Sequence, residues 1–403
     1  MPEAVIVATA RSPIGRAFKG SLVDIRPDDM AAQMVRAALD QVPMLPVSDI
    51  EDLMLGCGLP GGEQGFNMAR VVSLLAGLET VPGTTVNRYC SSSLQTIRMA
   101  AHAIRSGEGD AYIAAGVESV SSFIKGNSDT LPDTENPAFS DAKVRSASRQ
   151  SGDVALWTPG NGLADIYISM GQTAENVAQI EGVTRDEQDE YAMESQHNAG
   201  RAIANGFFEN EITPITLPNG TVVSADDGPR PQTDLEGLGK LKPVFRADGS
   251  VTAGNACPLN DGAAAVVVMS DVRARELGIT PLARIVSSSV TALNPEIMGL
   301  GPVEACRRAM ARAGMTIGDI DLVEINEAFA AQVLPSMRHL GITRDKINIH
   351  GGAIALGHPF GMTGARIMTT LINGLRATDG TFGMESMCVG GGQGMAMIIE
   401  RLS

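Results

Sequence analysis

The interpretation of this chain starts from one stretch, residues 84–95, which read TTVNRYCSSSLQ. β-Branched residues open the stretch and indicate a short strand. Apolar side chains then recur at the spacing of one helix face, at Leu94, Ile97, Ala101 and Ile104. Residues 91–93 are serines, which commonly cap helix N-termini. Cys90 therefore lies where a strand runs into a helix, and free N–H groups and the helix dipole there would favour a thiolate.

Two glycine-rich segments near the C-terminus carry further reactive side chains. Residues 348–366, NIHGGAIALGHPFGMTGAR, predict a shaped loop around His350 and His358 because glycine weakens helices and strands. Residues 386–394, SMCVGGGQG, join strand to strand, so these glycines do not form a dinucleotide-binding fingerprint. An isolated cysteine is more often a buried hydrophobe, but these segments favour a catalytic role for Cys90.

Composition describes an ordinary globular chain. It has 403 residues, 44% apolar and 19% charged, which suffice for more than one domain or for repeated halves. A formal net charge of −15 disfavours nucleic acid and anionic membranes as partners. A site for a polyanionic ligand would therefore need a local basic patch.

Cysteine usage and the absence of targeting patterns indicate a reduced, cytoplasmic setting. The five cysteines are odd in number and lack CxxC spacing, which argues against a disulfide framework and against structural zinc, so no metal is expected. No apolar run is long enough to span a membrane, and no secretory leader precedes Val5. We therefore expect no membrane insertion.

The order of the predicted elements repeats along the chain. A strand, a helix and a second strand preceded by Asp-Ile occur within residues 4–56 and again within residues 283–326. In each half a further strand, a reactive residue and a helix follow, with Cys90 in the first half and His358 in the second. This alternation predicts an α/β fold with mixed, mostly parallel sheets covered by helices.

An insertion interrupts the first half. Residues 118–251 are rich in Ser, Asp, Asn, Gly and Pro, apart from an amphipathic helix at residues 185–205. We assign residues 1–117 with 252–271 to an N-terminal half. Residues 118–251 form an inserted loop domain, and residues 272–403 form a C-terminal half.

These segments, together with NEAFA at residues 326–330, resemble the thiolase family, the acyl-CoA acetyltransferases that cleave or form 3-ketoacyl-CoA. The resemblance spans nearly the whole chain and includes ATARSPIG at 8–15, GVES at 116–119, MGQTAEN at 170–176, TAGNA at 252–256 and NDGAA at 260–264. It implies duplicated halves in a layered αβαβα arrangement, with the insertion serving CoA binding and subunit contacts. It also implies a homotetramer built as a dimer of dimers, with coenzyme A as co-substrate and no permanently bound cofactor.

The resemblance also gives each catalytic residue a role. Cys90 would attack the 3-keto carbon and carry the shortened acyl chain as a thioester, and His358 would take its proton. Cys388 would protonate the leaving enolate and later deprotonate incoming CoA. Asn326 would hold a water that completes an oxyanion hole with His358, and the backbone N–H groups of Cys90 and Gly390 would form a second hole. For His350, a role behind the site and a solvent-facing position both stay open.

For coenzyme A the resemblance maps a set of mostly apolar residues with one cation, namely Arg230, Leu241, Phe245, Ala253, Ala256, Met170, Ala328 and Phe329. Arg230 would supply the local positive charge. Two positions beside this set depart from many relatives. Cys257 stands where they have Ser, and Ser169 stands where short-chain enzymes often have His.

The function that the resemblance implies is thiolysis of 3-ketoacyl-CoA to acetyl-CoA and a shortened acyl-CoA, or the reverse condensation. Ser169 favours a role in fatty-acid β-oxidation over a biosynthetic acetoacetyl-CoA thiolase, which is the alternative. A ketosynthase-like condensing enzyme and a cysteine hydrolase are more remote, because neither needs Cys388. Acyl chain length and physiological direction stay open.

Overall fold

A computed structural model of the chain describes residues 2–126, 131, 134–152 and 155–403, and the side chains of residues 124–126 are left aside. The N-terminal part contains β1 (Ala4–Arg11), β2 (Gly15–Arg16), α1 (Pro27–Leu39), β3 (Ile50–Gly56), α2 (Met68–Leu75), β4 (Gly83–Val86), α3 (Ser92–Ser106) and β5 (Ala111–Ser119). The middle part contains α4 (Val120–Gly126), α5 (Ser140–Ser148), α6 (Met170–Glu181), α7 (Arg185–Ala204), β6 (Ile215–Thr216), β7 (Val222–Val223) and α8 (Leu235–Gly239).

The remaining elements complete the sheet and its helical cover. They are β8 (Asn260–Ser270), α9 (Asp271–Glu276), β9 (Ala283–Ala292), α10 (Gly301–Ala313), β10 (Leu322–Ile325), α11 (Ala330–Leu340), α12 (Ala353–Leu356), α13 (Thr363–Thr378), β11 (Phe382–Val389) and β12 (Gln393–Arg401). No helix in the described ranges is long and apolar enough to cross a membrane.

Strand order shows that the chain is built from two related halves. The main path through the sheet runs β10-β11-β12-β9-β1-β8-β5-β3-β4, with β2 paired to β8. Within it, β3-β5-β8-β1 and β10-β11-β12-β9 have the same sequence of one parallel and two antiparallel pairings. The halves join at a short β1–β9 contact, where Val5 pairs with Arg284 and Ile6 with Ala283. The predicted duplication is confirmed.

The sheet is mixed, as predicted, but parallel pairing is confined to parts of it. The β3–β4, β3–β5 and β10–β11 pairs are parallel. In the N-terminal half β8 pairs antiparallel with β1, and in the C-terminal half β12 pairs antiparallel with β9. β12 follows β11 through a tight turn, and a tight turn can only reverse the chain, whereas a parallel neighbour needs a crossover. Alternation of strands and helices therefore overstates the parallel share.

The helices form three layers around the two halves of the sheet. Helices α3 and α13 pack against each other in the centre and bury apolar side chains from both halves. α1 and α2 cover the outer face of the N-terminal half, and α10 and α11 cover that of the C-terminal half. The predicted layered αβαβα arrangement is confirmed.

Glycines bring the N-termini of the two central helices into contact. A Cβ at Gly364, near the start of α13, would lie 2.3 Å from the backbone nitrogen of Leu94 in α3. A Cβ at Gly116 would lie 2.0 Å from the carbonyl oxygen of Gly361. Such distances are impossible for a side chain, so only glycine allows this approach. Cys90 and His358 shortly precede these two helix starts, so the approach of the helices also brings together the segments that carry these two residues.

The second half departs from the predicted pattern before His358. The counterpart of β4 is reduced to a single bridge between Val323 and Ile347, and the short helix α12 follows it. Three glycines precede His358 within a few residues, and glycine-rich chain does not sustain a strand. The expected strand is therefore absent from this described segment.

The segment 118–251 is mainly helical, with one small hairpin of β6 and β7. Its longest helix, α7, starts at a capping box in which Thr184 and Glu187 satisfy each other's backbone N–H groups. The helix ends at Ala204, one residue before its predicted end. The domain boundaries at residues 117, 251 and 271 stay predictions.

Candidate active site

Cys90 lies in a short turn between β4 and α3. It is the middle residue of one 3-10 turn, Tyr89–Ser91, and α3 begins directly after it. Tyr89 has a left-handed backbone with φ 44°, which is unusual for a bulky residue. Such strain persists only where the surroundings hold it, and it often marks a functional site. The predicted placement of Cys90 between a strand and a helix is confirmed, and the 3-10 turn between them was not predicted.

The serines after Cys90 do not cap the helix as expected. Ser91 is the N-cap residue of α3 but makes no side-chain capping bond. The Ser92 hydroxyl instead accepts a hydrogen bond from the Arg88 N–H at 2.9 Å and donates one to the Tyr89 carbonyl at 2.7 Å. Because the 3-10 turn intervenes, these hydroxyls fasten the turn that carries Cys90.

The Cys90 thiol is neutral in the free chain. Burial raises its pKa to about 11, and the negative charge of Glu118 acts in the same direction. Hydrogen bonds from the backbone N–H groups of Gly390 and of Cys90 itself oppose this effect but do not overcome it. The two N–H groups named for an oxyanion hole converge on the sulfur and favour a thiolate, as expected, but burial outweighs them.

Hydrogen bonds fix the tautomer of His358. The Thr363 hydroxyl donates its proton to the Pro359 carbonyl at 2.8 Å, so it can only accept from the imidazole Nδ1, which lies 2.6 Å away. Nδ1 therefore carries the proton, and Nε2 accepts from the Asn326 Nδ2 amide at 3.2 Å. His358 thus presents a lone pair at Nε2, as a general base requires.

Burial keeps this imidazole neutral. It lowers the pKa of His358 to about 3, and the positive charge of Arg366 lowers it further. The His358 backbone N–H donates to Asn260 Oδ1 at 2.9 Å, which anchors the loop. The other amide atom of Asn326, Oδ1, is buried without a hydrogen-bond partner. A buried polar atom left open in this way fits a site for a water or a substrate oxygen.

Two further thiols lie near Cys90. Cys388, fully buried near the end of β11, has a pKa raised by burial and by the thiolates that Cys90 and Cys257 would form. Burial and Cys90 likewise raise the pKa of Cys257, whose backbone N–H donates to the Ala328 carbonyl at 3.0 Å. The structure therefore groups Cys90, Cys257 and Cys388 in one electrostatic environment, as the sequence analysis proposed for the first and third.

A glycine turn connects β11 to β12 beside the nucleophile. Gly391 and Gly392 have φ values of 75° and 77°, which only glycine adopts readily. The Tyr89 ring lies against Gly390, since a Cβ added there would meet the ring at 3.4 Å. A Cβ at Gly391 would meet Ile166 at 3.3 Å. The turn thus packs between the nucleophile turn and the 118–251 segment.

Glu118 ties together the loops around the nucleophile, a role that the sequence analysis did not assign. Its carboxylate accepts hydrogen bonds from the N–H groups of Gly58 at 2.8 Å, Leu59 at 3.2 Å and Gly361 at 2.9 Å, and from Gln64 Nε2 at 2.8 Å. Burial nonetheless raises its pKa to about 7. The GVES motif contained this residue, but its partners lie far apart in the sequence.

Glu327 performs a similar task behind Asn326. It accepts hydrogen bonds from the Tyr191 hydroxyl, the Ser195 hydroxyl, Asn348 Nδ2 and the Ile354 N–H, at 2.6–3.1 Å. Burial raises its pKa. These bonds link α7 to the strand end that carries Asn326. The NEAFA motif is the only signal in the sequence that could have identified this residue.

A groove of about 350 Å³ lies beside the site. Four of the residues that the resemblance assigned to CoA line it, namely Arg230, Leu241, Ala253 and Ala256. Arg16, which the sequence analysis did not assign, lines it as well. Neither arginine forms an ion pair within the described residues, so the groove carries two free cations in an otherwise acidic chain.

The other residues assigned to CoA lie behind the groove. The Phe245 and Phe329 rings are 6.1 Å apart in an edge-to-face contact, and Ala256 forms a backbone bridge to Phe329. Met170 and Cys257 pack against the same apolar cluster, which includes Ala328. Ser169 is the exposed N-cap residue of α6 and makes no side-chain capping bond. Apart from Ala256, none of these residues lines the groove itself.

His350 lies against an aromatic side chain of the 118–251 segment. Its ring stacks on Phe207 with centroids 3.6 Å apart, and it lies beside Gly374, three helical turns into α13. Burial lowers its pKa to about 4. The two roles left open for His350 stay predictions, and no sequence pattern indicated its contact with Phe207.

Comparison with known proteins identifies the relatives of this chain. The sequence model of the thiolase N-terminal domain matches residues 4–272, and that of the thiolase C-terminal domain matches residues 279–401. A 3-ketoacyl-CoA thiolase of Bacillus subtilis (strain 168) is 43% identical over 413 residues, covering 99% of this chain and 100% of the relative. A 3-oxoadipyl-CoA/3-oxo-5,6-dehydrosuberyl-CoA thiolase of Escherichia coli (strain K12) is 44% identical over 415 residues, covering 100% of both.

Solved structures agree with these matches. The crystal structure of human mitochondrial 3-ketoacyl-CoA thiolase in complex with CoA superposes with a TM-score of 0.86 at 35% sequence identity. The alignment covers 100% of this chain and 98% of that one. The chain therefore belongs to the thiolase family and is an acyltransferase, as the sequence predicts.

Proposed function

We propose that this thiolase cleaves 3-ketoacyl-CoA with coenzyme A, giving acetyl-CoA and an acyl-CoA shortened by two carbons, through an acyl thioester on Cys90. The observation that carries the proposal is that the turn of Cys90 packs against α13, the helix that follows His358, and that the thiol and the imidazole on these two segments are both neutral. The Nε2 lone pair of His358 is free of a proton, while the Cys90 sulfur receives the N–H groups of Gly390 and Cys90. A base and a prepared nucleophile are what acyl transfer requires.

The first half-reaction uses both groups. As the Cys90 sulfur attacks the 3-keto carbon, its proton moves to His358, and the developing oxyanion accepts hydrogen bonds from the two backbone N–H groups. The C2–C3 bond then breaks. The acetyl-CoA enolate leaves toward His358 and Asn326, where the unpartnered Oδ1 can hold a water. The Cys388 thiol donates its proton to C2.

The second half-reaction restores every proton. The Cys388 thiolate removes the proton of the incoming CoA thiol, and the CoA sulfur attacks the acyl thioester on Cys90. The departing Cys90 sulfur regains its proton from His358. The raised pKa of Cys388 supports this cycle, because the group starts as a thiol and is a strong base once ionised.

The groove beside the site supports CoA binding. Arg16 and Arg230 can bind phosphates, and Leu241, Ala253 and Ala256 offer apolar contact for the pantetheine arm. The structural relative with CoA bound adds support at the level of the family. We propose coenzyme A as co-substrate, with no permanently bound cofactor and no metal.

We also propose a substrate longer than acetoacetyl-CoA and a role in β-oxidation. The support is Ser169, which leaves more room at the start of α6 than a histidine would. The relatives include a 3-ketoacyl-CoA thiolase and a 3-oxoadipyl-CoA thiolase. The proposal therefore leaves open whether the acyl end of the substrate is apolar or carries a carboxylate. A cytoplasmic homotetramer is proposed from the family resemblance, and a biosynthetic acetoacetyl-CoA thiolase remains the alternative.

Mass spectrometry of the intact protein tests the central step. Incubation with a 3-ketoacyl-CoA and without free CoA should add one acyl group, located on Cys90. Cys90→Ala should abolish the adduct, and Cys257→Ser serves as the matched control because it removes a neighbouring thiol only. An adduct that persists in Cys90→Ala would contradict the proposal.

A further inference from the structure

A chain of polar side chains joins the turn of Cys90 to the turn of Gly390. Arg88 Nη1 donates to Gln393 Oε1 at 2.7 Å, and Gln393 Nε2 donates to the Gly390 carbonyl at 3.3 Å. Through Gln393, these two bonds connect Arg88, beside the strand–helix turn of Cys90, to Gly390, in the strand–strand turn about 300 positions later. The connection therefore spans the two backbone N–H groups that face the sulfur.

The Arg88 end of this connection is firmly held. Its backbone N–H donates to the Ser92 hydroxyl at 2.9 Å, and its Nε donates to Gln95 Oε1 at 3.1 Å. Both partners lie in the first turns of α3. The guanidinium is thus fixed relative to Cys90, which follows it by two residues.

The Arg88 guanidinium has no countercharge among the described residues. It forms no ion pair with a carboxylate there, and partial burial lowers its pKa. Its bonding partners are neutral amide oxygens, so the contact with Gln393 is charge-assisted and stronger than a neutral hydrogen bond. Hydrogen bonds to Gln95 and Gln393, rather than an ion pair, therefore hold the Arg88 guanidinium in place.

The Gly390 end is the part that needs a restraint. Three successive glycines have more backbone freedom than any other tripeptide, and two of them here have positive φ. The N–H of Gly390 would not keep a fixed direction on such a turn without contacts from neighbouring groups. Gln393 and the Tyr89 ring are the side chains that the structure places against Gly390.

We propose that Arg88 is a positioning residue that acts through Gln393, holding the Gly390 turn so that its N–H stays directed at the acyl oxyanion. The inference rests on the proposed function, because it assumes that this N–H stabilises an acyl oxyanion on Cys90. It assigns Arg88 no contact with substrate. Loss of the connection would slow both acylation and deacylation much more than it would change the reactivity of the Cys90 thiol.

Five variants test the proposal, and one of them, Arg88→Lys, keeps the charge. Arg88→Gln removes the charge and shortens the side chain, and Gln393→Met keeps the volume but removes the amide. The double variant closes a cycle, and Arg98→Gln is the matched control, because Arg98 also contacts Gln95 but does not reach Gln393. Each is assayed for single-turnover acylation by 3-ketoacyl-CoA, for KM of CoA, and for alkylation of Cys90 by iodoacetamide, which needs no oxyanion hole.

The expected result separates positioning from folding. Acylation by either single variant should fall about 10- to 100-fold, since a displacement near 1 Å can cost about 100-fold. The double variant should be no slower than the slower single variant, because the residues act as one unit. Alkylation of Cys90 should fall far less than acylation, because the Gly390 N–H is one of several influences on the pKa of the thiol but bonds directly to the acyl oxyanion. The KM of CoA and thermal unfolding should stay unchanged, and Arg98→Gln should match the wild type. Arg88→Lys should restore part of the rate.

Other outcomes would overturn the proposal. Near-normal acylation in Gln393→Met would refute it, as would additive losses in the double variant or a parallel loss of alkylation. If Arg88→Gln does not fold, Gln393→Met decides alone. The two proposals can fail independently. If the proposed function is wrong, Cys90→Ala is still acylated. If only the Arg88 inference is wrong, Cys90→Ala is inactive and the Arg88 variants are active.

Discussion

Replacement of Thr363 by valine would test the tautomer on which the proposed chemistry depends. The change keeps the shape of the side chain but removes the hydroxyl that accepts the His358 Nδ1–H at 2.6 Å. The Pro359 carbonyl loses the hydroxyl as a donor, yet it still accepts the backbone N–H groups of Met362 and Thr363, each at 3.0 Å. The cost therefore falls on the imidazole.

The magnitude follows from that unpaired N–H. A buried donor left without an acceptor costs about 1–3 kcal/mol, which corresponds to about 5- to 150-fold in a rate or a population. The alternative tautomer, with its proton on Nε2, becomes competitive because it has no Nδ1–H that would be left without an acceptor. In that form His358 cannot accept the Cys90 proton, so the acylation rate should fall within that range.

Two measurements check this prediction. Single-turnover acylation should slow in Thr363→Val and stay close to wild type in Thr363→Ser, which retains the hydroxyl. Nitrogen NMR of labelled histidine should show an Nδ1–H tautomer in the wild type and a mixture in the valine variant. A valine variant with wild-type acylation would refute the assignment of Nε2 as the base.

Three further predictions concern other groups of the site. Cys388→Ala should still acylate Cys90 slowly but lose exchange of the acetyl C2 protons by about 10²–10⁴-fold, and retained exchange would reassign that proton transfer. Because burial raises the folded pKa of Glu118 from 4.5 to about 7, its stabilisation is complete below about pH 4.5 and is lost as pH rises through 7. Glu118→Gln should therefore flatten the fall in melting temperature over that window, although it weakens the loop, and an unchanged slope would count against this account. In Ser169→His, kcat/KM should shift from 3-ketohexanoyl-CoA toward acetoacetyl-CoA, since each buried CH₂ is worth about 0.8 kcal/mol, or about fourfold. A wild-type profile that peaks at acetoacetyl-CoA would overturn the longer-chain proposal.

Local sequence patterns sufficed where the determining contacts are local. The helix α3 after Cys90 follows from periodicity, and the helix α7 follows from periodicity and capping, within about one helix length. The serine cap failed because a 3-10 turn intervenes and consumes the hydroxyls, and periodicity does not reveal such a turn. The parallel share was overstated because alternation says nothing about the tight turn between β11 and β12.

Features that depend on distant pairs could not be read from the sequence. Glu118 bonds to Gly361, 243 positions away, and Arg88 bonds to Gln393, 305 positions away. Glu118 and Glu327, the two carboxylates that organise the loops, lie inside recognised motifs. A motif does not indicate which backbone N–H groups donate hydrogen bonds to these carboxylates. His350 shows the converse, because it is eight residues from His358 and yet packs against Phe207.

Burial sets the order of events at this site. The pKa of Cys90 is raised to about 11 and that of His358 is lowered to about 3, so proton transfer between them is strongly unfavourable before substrate arrives. In the proposed reaction, the thiolate and the imidazolium therefore form together with bond formation to the keto carbon, when the negative charge passes to an oxygen that two N–H groups can stabilise. Asn326 takes part in the same change. Its Nδ2 amide donates to Nε2 only while that atom is unprotonated, so protonation of His358 breaks the 3.2 Å bond and the newly formed Nε2–H becomes available to the enolate oxygen. The donor that holds the base in its resting state is thus displaced by the proton that the base receives.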